Sequence, residues 1–212
     1  YFDWLVLISL NSLVLLIDLG FSSTFVRFFA FSFKKDDQVI EDLPKQLLEI
    51  AKLNSFSQYN SLLLNLSKKV YSYLSYLGIF LSLIIGTLYL PDLDSSNIEK
   101  NWPLIWMTLS LSAILNLKFS YLNIILLGRG LIIRSSFLQF IQKSMGPFLG
   151  ILLIISGRKD ILLISICYLI SSLIYLLLGF YWKNKFFRIR NFTFTKKTYL
   201  DSFRRIWPVT WQ

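Results

Sequence analysis

The sequence predicts an all-α fold, a polytopic transmembrane helix bundle, on three observations. The hydrophobic fraction is 55% with only 16% charged residues, and the mean hydropathy is +0.57. Five long apolar runs are separated by polar gaps, and those gaps alternate strictly between rich and poor in Lys and Arg. Such a composition excludes disorder. The formal charge of +10 might suggest a nucleic-acid partner, but the cations sit between the apolar runs, where membrane topology accounts for them. No nucleic acid is expected.

The first run, residues 4–33, is long enough to cross a hydrocarbon core of ~30 Å at roughly 1.5 Å per helical residue. It carries Asp18, Gly20 and Arg27 inside the sequence LLIDLGFSSTFVRFF. A polar stretch, 34–69, follows. In LPKQLLEIAKL the residues Leu43, Leu47, Leu48, Ile50 and Leu53 roughly keep helical spacing, which suits a helix lying at the membrane surface. The second span, 70–90, is expected to stop at Pro91-Asp92, and an acidic loop leads to the third, 102–127. Gly128-Arg129-Gly130 reads as a tight turn into the fourth span, 131–156, with a kink at Gly146-Pro147. Gly157 to Asp160 makes the next turn, and the fifth span is 161–182. Residues 1–205 thus form one transmembrane unit. A new apolar stretch opens at Ile206, so 206–212 read as the start of a further helix in a longer protein.

Lys and Arg set the expected orientation. The gaps after the first, third and fifth runs hold sixteen of them, whereas the alternate gaps hold Lys100, Arg158 and Lys159. The basic side is expected to be cytoplasmic. Trp4, Trp102 and Trp106 fall at the opposite ends of their spans and Trp182 at a basic end, as an aromatic belt would place them.

Cys167 is the only cysteine and there is no histidine. A disulfide within the chain, thiolate metal clusters, Ser/His nucleophiles and the zinc-protease pattern are closed to this segment. No catalytic residue, metal or cofactor is expected, and the chain does not read as an enzyme.

Each span carries a polar or small-residue stripe. On a continuous first helix, Asn11, Asp18 and Ser22 share a face, and Arg27 lies about two and a half turns beyond Asp18, out of phase for an in-helix pair. In the second span the stripe is Tyr71, Ser75, Gly78, Ser82 and Gly86. The third has Ser112, Asn116, Ser120 and Asn123; the fourth has Ser135, Gln139, Gln142, Gly146 and Gly150; the fifth has Ser165, Tyr168, Ser172 and Tyr175. Such stripes mediate helix packing in lipid. Amides on two adjacent spans, together with intramembrane charges, tilt the reading toward a hydrated cavity lined by Asn11, Asp18, Asn116, Asn123, Gln139 and Gln142. Arg27, Lys118 and Lys143 set against the single acid Asp18 leave a surplus of positive charge that an anionic ligand would satisfy. Lys118 also lies near enough to the basic end to snorkel to the headgroups.

The motif Ile17-Asp18-Leu19-Gly20-Phe21, followed by Arg27, resembles the second transmembrane helix of polysaccharide and O-antigen flippases of the multidrug/oligosaccharidyl-lipid/polysaccharide exporter superfamily. The loop pattern and Gly128-Arg129-Gly130 are similar too. The resemblance implies that the five spans are helices two to six of the N-terminal lobe of a two-lobed, alternating-access exporter, with helix seven beginning at Ile206. It implies a bacterial cytoplasmic-membrane protein that moves undecaprenyl-pyrophosphate-linked oligosaccharide without covalent chemistry. Its partners would be that lipid-linked oligosaccharide, membrane lipid and the polysaccharide polymerase machinery. Arg27, Lys118 and Lys143 are the candidates for its cationic cavity, Lys118 and Lys143 by depth and charge alone. Asp18 would be a structural partner of Arg27 or Lys143, or a proton or cation site. A cation-coupled drug exporter of the same superfamily would need an acid-rich cavity. A prenyl-phosphate transferase would need clustered acids, and the one adjacent pair, Asp36-Asp37, is flanked by lysine in a loop. A scaffold subunit should lack buried cations.

Overall fold

The computed structural model describes residues 18, 20–33, 56–94, 102–158 and 160–186. Its helices are α1 (Phe21–Phe33), α2 (Phe56–Asp94), α3 (Trp102–Lys118), α4 (Tyr121–Gly128) and α5 (Ile132–Phe140). A π-helical turn (Ile141–Met145) follows, then α6 (Gly146–Ile155) and α7 (Ile161–Phe186). No strand occurs among the described residues. Four stretches are long and apolar enough to span a membrane: Asn60–Leu88, Trp102–Gly128, Ile132–Ile155 and Ile161–Phe186. They make the chain an all-α membrane protein.

The first apolar run is not one continuous helix. Asp18 sits in a 3₁₀ turn, Gly20 adopts φ +81°, and α1 begins at Phe21. That backbone is open to glycine at little cost and strained for other residues. The Gly20 carbonyl accepts the Ser23 hydroxyl at 2.8 Å and the Thr24 amide at 3.4 Å. The shared helical face proposed for Asn11, Asp18 and Ser22 therefore fails between Asp18 and Ser22, and the phase argument relating Asp18 to Arg27 fails with it. Asn11, Trp4 and the Leu43–Leu53 segment lie outside the described residues.

The second span also differs from expectation. α2 starts at Phe56, well before residue 70, and runs past Pro91 to Asp94. Neither glycine nor proline interrupts it before Gly78, and Leu62, Leu63, Leu64 and Leu66 give its first turns a buried apolar side. Lys68 and Lys69 are accommodated because they fall at the basic end of the bundle. α7 likewise continues beyond Trp182, to Phe186.

α3 packs between α2 and α7, while α1 lies against α4 and α2, and the π turn and α6 lie against α7. Cation-bearing segments distant in sequence meet at one end. Arg129 donates to the Phe186 carbonyl, Arg134 stacks on the Phe186 ring at 3.9 Å, and Lys68 lies 5.9 Å from the Tyr121 ring centroid. The turn after α4 is the tight one expected. Gly130, at φ +78°, donates to Leu127 at 2.8 Å and Leu131 donates to Leu126 at 2.9 Å, the two bonds of a Schellman closure. The same pair of bonds ends α6 at Gly157 and Arg158.

The main core joins Phe21, Phe25, Phe28 and Phe29 of α1 to the leucines of α2 and to Leu122, Ile125 and Leu126 of α4. A second, smaller core at the opposite end is built on Trp102, Ile105, Trp106 and Leu109. Trp102 and Trp106 are buried, and the Trp106 indole donates to the Ser82 carbonyl at 3.2 Å. Instead of facing outward at the span end as an interfacial belt would, both rings pack between helices: Trp106 is held by a carbonyl of α2, while the buried Trp102 indole N–H has no hydrogen-bond partner among the described residues.

Of the described glycines, Gly128 has the tightest surroundings. A β-carbon there would stand 2.3 Å from Phe29 Cβ, so only glycine fits. Gly128→Ala should destabilise the bundle by about 1–3 kcal/mol through overpacking, measured by reversible denaturation in mixed micelles, while Gly130→Ala, whose β-carbon would meet nothing within 4 Å, should cost about 1 kcal/mol from backbone strain alone.

Candidate functional site

Hydroxyls of α3 and α7 face each other and hydrogen-bond across the seam. Thr108 donates to Ser165 at 2.7 Å, the Ser112 and Ser172 hydroxyls stand 2.9 Å apart, and Ser172 also donates to the Tyr168 carbonyl at 3.0 Å. Ser75, Ser82, Gly78 and Gly86 of α2 are buried as well. On the fourth span, β-carbons at Gly146 and Gly150 would meet Tyr168 at 3.1 Å and Ile164 at 3.2 Å, so this small-residue pair is where α6 seats on α7. In lipid, where no hydrophobic force draws helices together, close approach and side-chain hydrogen bonds supply the attraction.

The third span is interrupted between Lys118 and Tyr121. Ser120 Oγ takes the Asn116 carbonyl at 2.8 Å, and the Phe119 carbonyl accepts both the Leu122 amide at 3.0 Å and the Tyr175 hydroxyl at 3.1 Å. A serine that bonds back to its own preceding turn competes with the helical ladder, and the Tyr175 phenol holds the resulting irregular turn against α7. In the fourth span, Pro147 lacks an amide for the preceding turn, and the expected kink takes the form of the π turn Ile141–Met145. Ser171 of α7 donates to the Ile141 carbonyl at 2.7 Å.

Asp18 accepts the Tyr71 hydroxyl at 2.7 Å. Its partner is thus a neutral phenol on α2, not the Arg27 or Lys143 cation expected. The contact ties the turn before α1 to the middle of α2, and the Tyr71 ring packs at 6.4 Å from that of Phe25.

The remaining amides divide. Asn116 is buried, and its Oδ1 has no hydrogen-bond partner. Asn123 Oδ1 accepts the Ser135 hydroxyl across the α4–α5 turn. Gln139 and Gln142 are half-buried. Arg27, Lys118 and Lys143 are all exposed, on α1, the last turn of α3 and the π turn respectively. Lys118 lies at the basic end, its ammonium 5.7 Å from the Phe119 ring centroid.

Around Arg27 the exposed face of α1 is Ser23, Arg27 and Ala30, while Phe21, Phe25, Phe28 and Phe29 face inward. Exposed faces elsewhere are large and apolar: Tyr73, Phe80 and Leu83 on α2, Ile132, Ile133 and Phe137 on α5, Leu177 and Tyr181 on α7. On the described part of α1 the outward side chains are instead small, polar or charged, and on the fourth span Ser136 and Lys143 add polar groups to an otherwise apolar outer face. No protein-family model, curated protein or solved structure matches the chain.

Sequence reasoning did not single out two features of the site. The Tyr71 phenol stood in the α2 stripe, but nothing in the spacing linked it to Asp18, 53 residues away. Lys68 and Lys183, counted among the loop cations, are on helices. The Leu62–Leu66 run ahead of Lys68 was the signal that the helix already extends that far. A double-mutant cycle on Asp18→Asn and Tyr71→Phe should give a coupling of about 1–2 kcal/mol, the upper part of the range for hydrogen bonds between membrane helices. Denaturation in mixed micelles measures it, and additive single effects would contradict the bond.

Proposed function

We propose that the chain belongs to the N-terminal lobe of a membrane flippase that carries a lipid-linked oligosaccharide, with an anionic pyrophosphate head, across a bacterial cytoplasmic membrane. The observation that carries this reading is the outward face of α1, Ser23, Arg27 and Ala30. A guanidinium facing hydrocarbon is costly, so a cation in that position belongs against water, protein or an anionic ligand. The resemblance of Ile17 to Phe21 and Arg27 to a polysaccharide flippase helix supports the same reading, as does the gathering of cations at one end of the bundle.

In this mechanism Arg27 and Lys143 belong to a cationic surface completed by parts of the protein beyond the described helices. The anionic head is drawn to it from the cytoplasmic side, the glycan enters a polar interior, and the lipid tail stays in the bilayer. Rocking of two lobes then exposes the cargo on the other side. The serine-rich α3–α7 seam and the Gly146–Gly150 contact keep this lobe rigid during that motion. Asp18, held by Tyr71, fixes the turn from which α1 starts and so the placement of Arg27.

Arg27→Ala and Lys143→Ala should each lower export of the lipid-linked sugar by at least about tenfold, the cost of losing one charge-assisted contact, with membrane levels of the protein unchanged. Surface polysaccharide at the normal level in both variants would refute the reading.

A further inference from the structure

Three lysines other than Lys143 lie against one group of rings: Lys68 of α2, Lys118 of α3 and Lys183 of α7. The Lys68 ammonium lies 5.9 Å from the Tyr121 centroid, that of Lys118 5.7 Å from Phe119, and that of Lys183 5.8 Å from Phe180. The rings are in mutual contact: Phe119 meets Phe180 edge-on at 5.4 Å and Tyr121 at 6.2 Å. The irregular turn at Phe119–Ser120 presents two of the three. Lys68 and Lys183 are both half-buried.

Neighbouring cations show what this arrangement lacks. Arg129 is engaged by the last carbonyl of α7 and Arg134 by the face of Phe186, so both serve the helix end. No carboxylate among the described residues contacts Lys68, Lys118 or Lys183. Ring faces attract a cation only modestly, and like charges gathered on one group of rings repel each other. Three donors from three helices, held on a rigid aromatic floor at the basic end of the bundle, match an acceptor with several oxygens and more than one negative charge.

We propose that Lys68, Lys118 and Lys183 form a binding site for a phosphate dianion, supplied either by a lipid headgroup or by a free phosphate. The site needs no assumption about what the protein exports. Lys118 and Lys183 lie in the last turns of α3 and α7, and a site at headgroup depth there would be reached from the side by a monoester phosphate on a lipid.

The test uses the full chain in phosphatidylcholine nanodiscs. Native mass spectrometry measures binding of phosphatidic acid against phosphatidylglycerol, and calorimetry measures binding of inorganic pyrophosphate. Preferential retention of phosphatidic acid assigns the site to a lipid headgroup; binding of pyrophosphate alone assigns it to a free phosphate, and either supports the proposal. Lys68→Gln and Lys183→Gln should each weaken the bound species by about tenfold or more. Lys185→Gln, one turn-end neighbour whose ammonium lies over Tyr181 and Phe186, should change it by less than about twofold. The Lys68→Arg/Lys183→Arg double variant keeps charge and ring contact and should still bind. Absence of binding by all three probes would overturn the proposal, and so would a loss in Lys185→Gln equal to that in Lys183→Gln.

Discussion

Helices in a bilayer must touch without a hydrophobic force to press them together, and every polar group they bury must find its partner inside the protein. The bundle is built on that constraint. α1 meets α4 where Gly128 leaves no room for a β-carbon, α6 meets α7 at Gly146 and Gly150, and α3 meets α7 through a ladder of hydroxyls. These seams explain why so many serines lie buried in an apolar chain, and why they lie in register. Hydroxyls that face one another add bonds between helices, whereas a hydroxyl facing outward, such as Thr87, bonds only back to its own helix, at the Ile84 carbonyl.

Where the ladder of backbone bonds is broken, another helix takes up the freed group. The Phe119 carbonyl goes to Tyr175, the Ile141 carbonyl to Ser171, and the carboxylate before α1 to Tyr71. Three of the bundle's irregularities are thus pinned by hydroxyls from α2 and α7. The irregular turns are also where the cations appear. Lys118 immediately precedes one, Lys143 lies within the π turn, and Arg27 follows the Gly20 turn by two helical turns. A side chain at a break can leave the packed face that a regular helix would impose, which gives the charges a route to a surface.

Much of this was legible in the residues. The long apolar runs, the glycine turns at Gly130 and Gly157, and the small-residue stripes stand out because polar and small residues are scarce in such a background. Pro147 marked the disturbed turn in the fourth span, although the form of the disturbance, a π turn, depends on α7 supplying Ser171. Other features were hidden for physical reasons. The early start of α2 is masked by Asn65, Ser67 and Lys68, polar residues interleaved with the buried leucines, which interrupt the apolar run without interrupting the helix. The break at Gly20 rests on a single residue in an otherwise uniform run. The Asp18 partner lies on another helix, beyond the reach of spacing along one helix, and Trp102 and Trp106 look interfacial until α2 is placed beside them. Arg27 and Lys143 were identified as intramembrane charges, and the fold adds that both are turned outward.

The outer face of α1 carries a guanidinium, Arg27, between the small residues Ser23 and Ala30. The account's central claim is that this face borders water and not lipid. In a Cys167→Ala background, single cysteines at Ser23, Arg27 and Ala30 should react with a membrane-impermeant maleimide in intact membranes at rates at least about tenfold above those of cysteines at Phe80 and Leu83, because thiolate formation requires water. Equal, slow labelling at all five positions would place Arg27 in lipid and contradict the account.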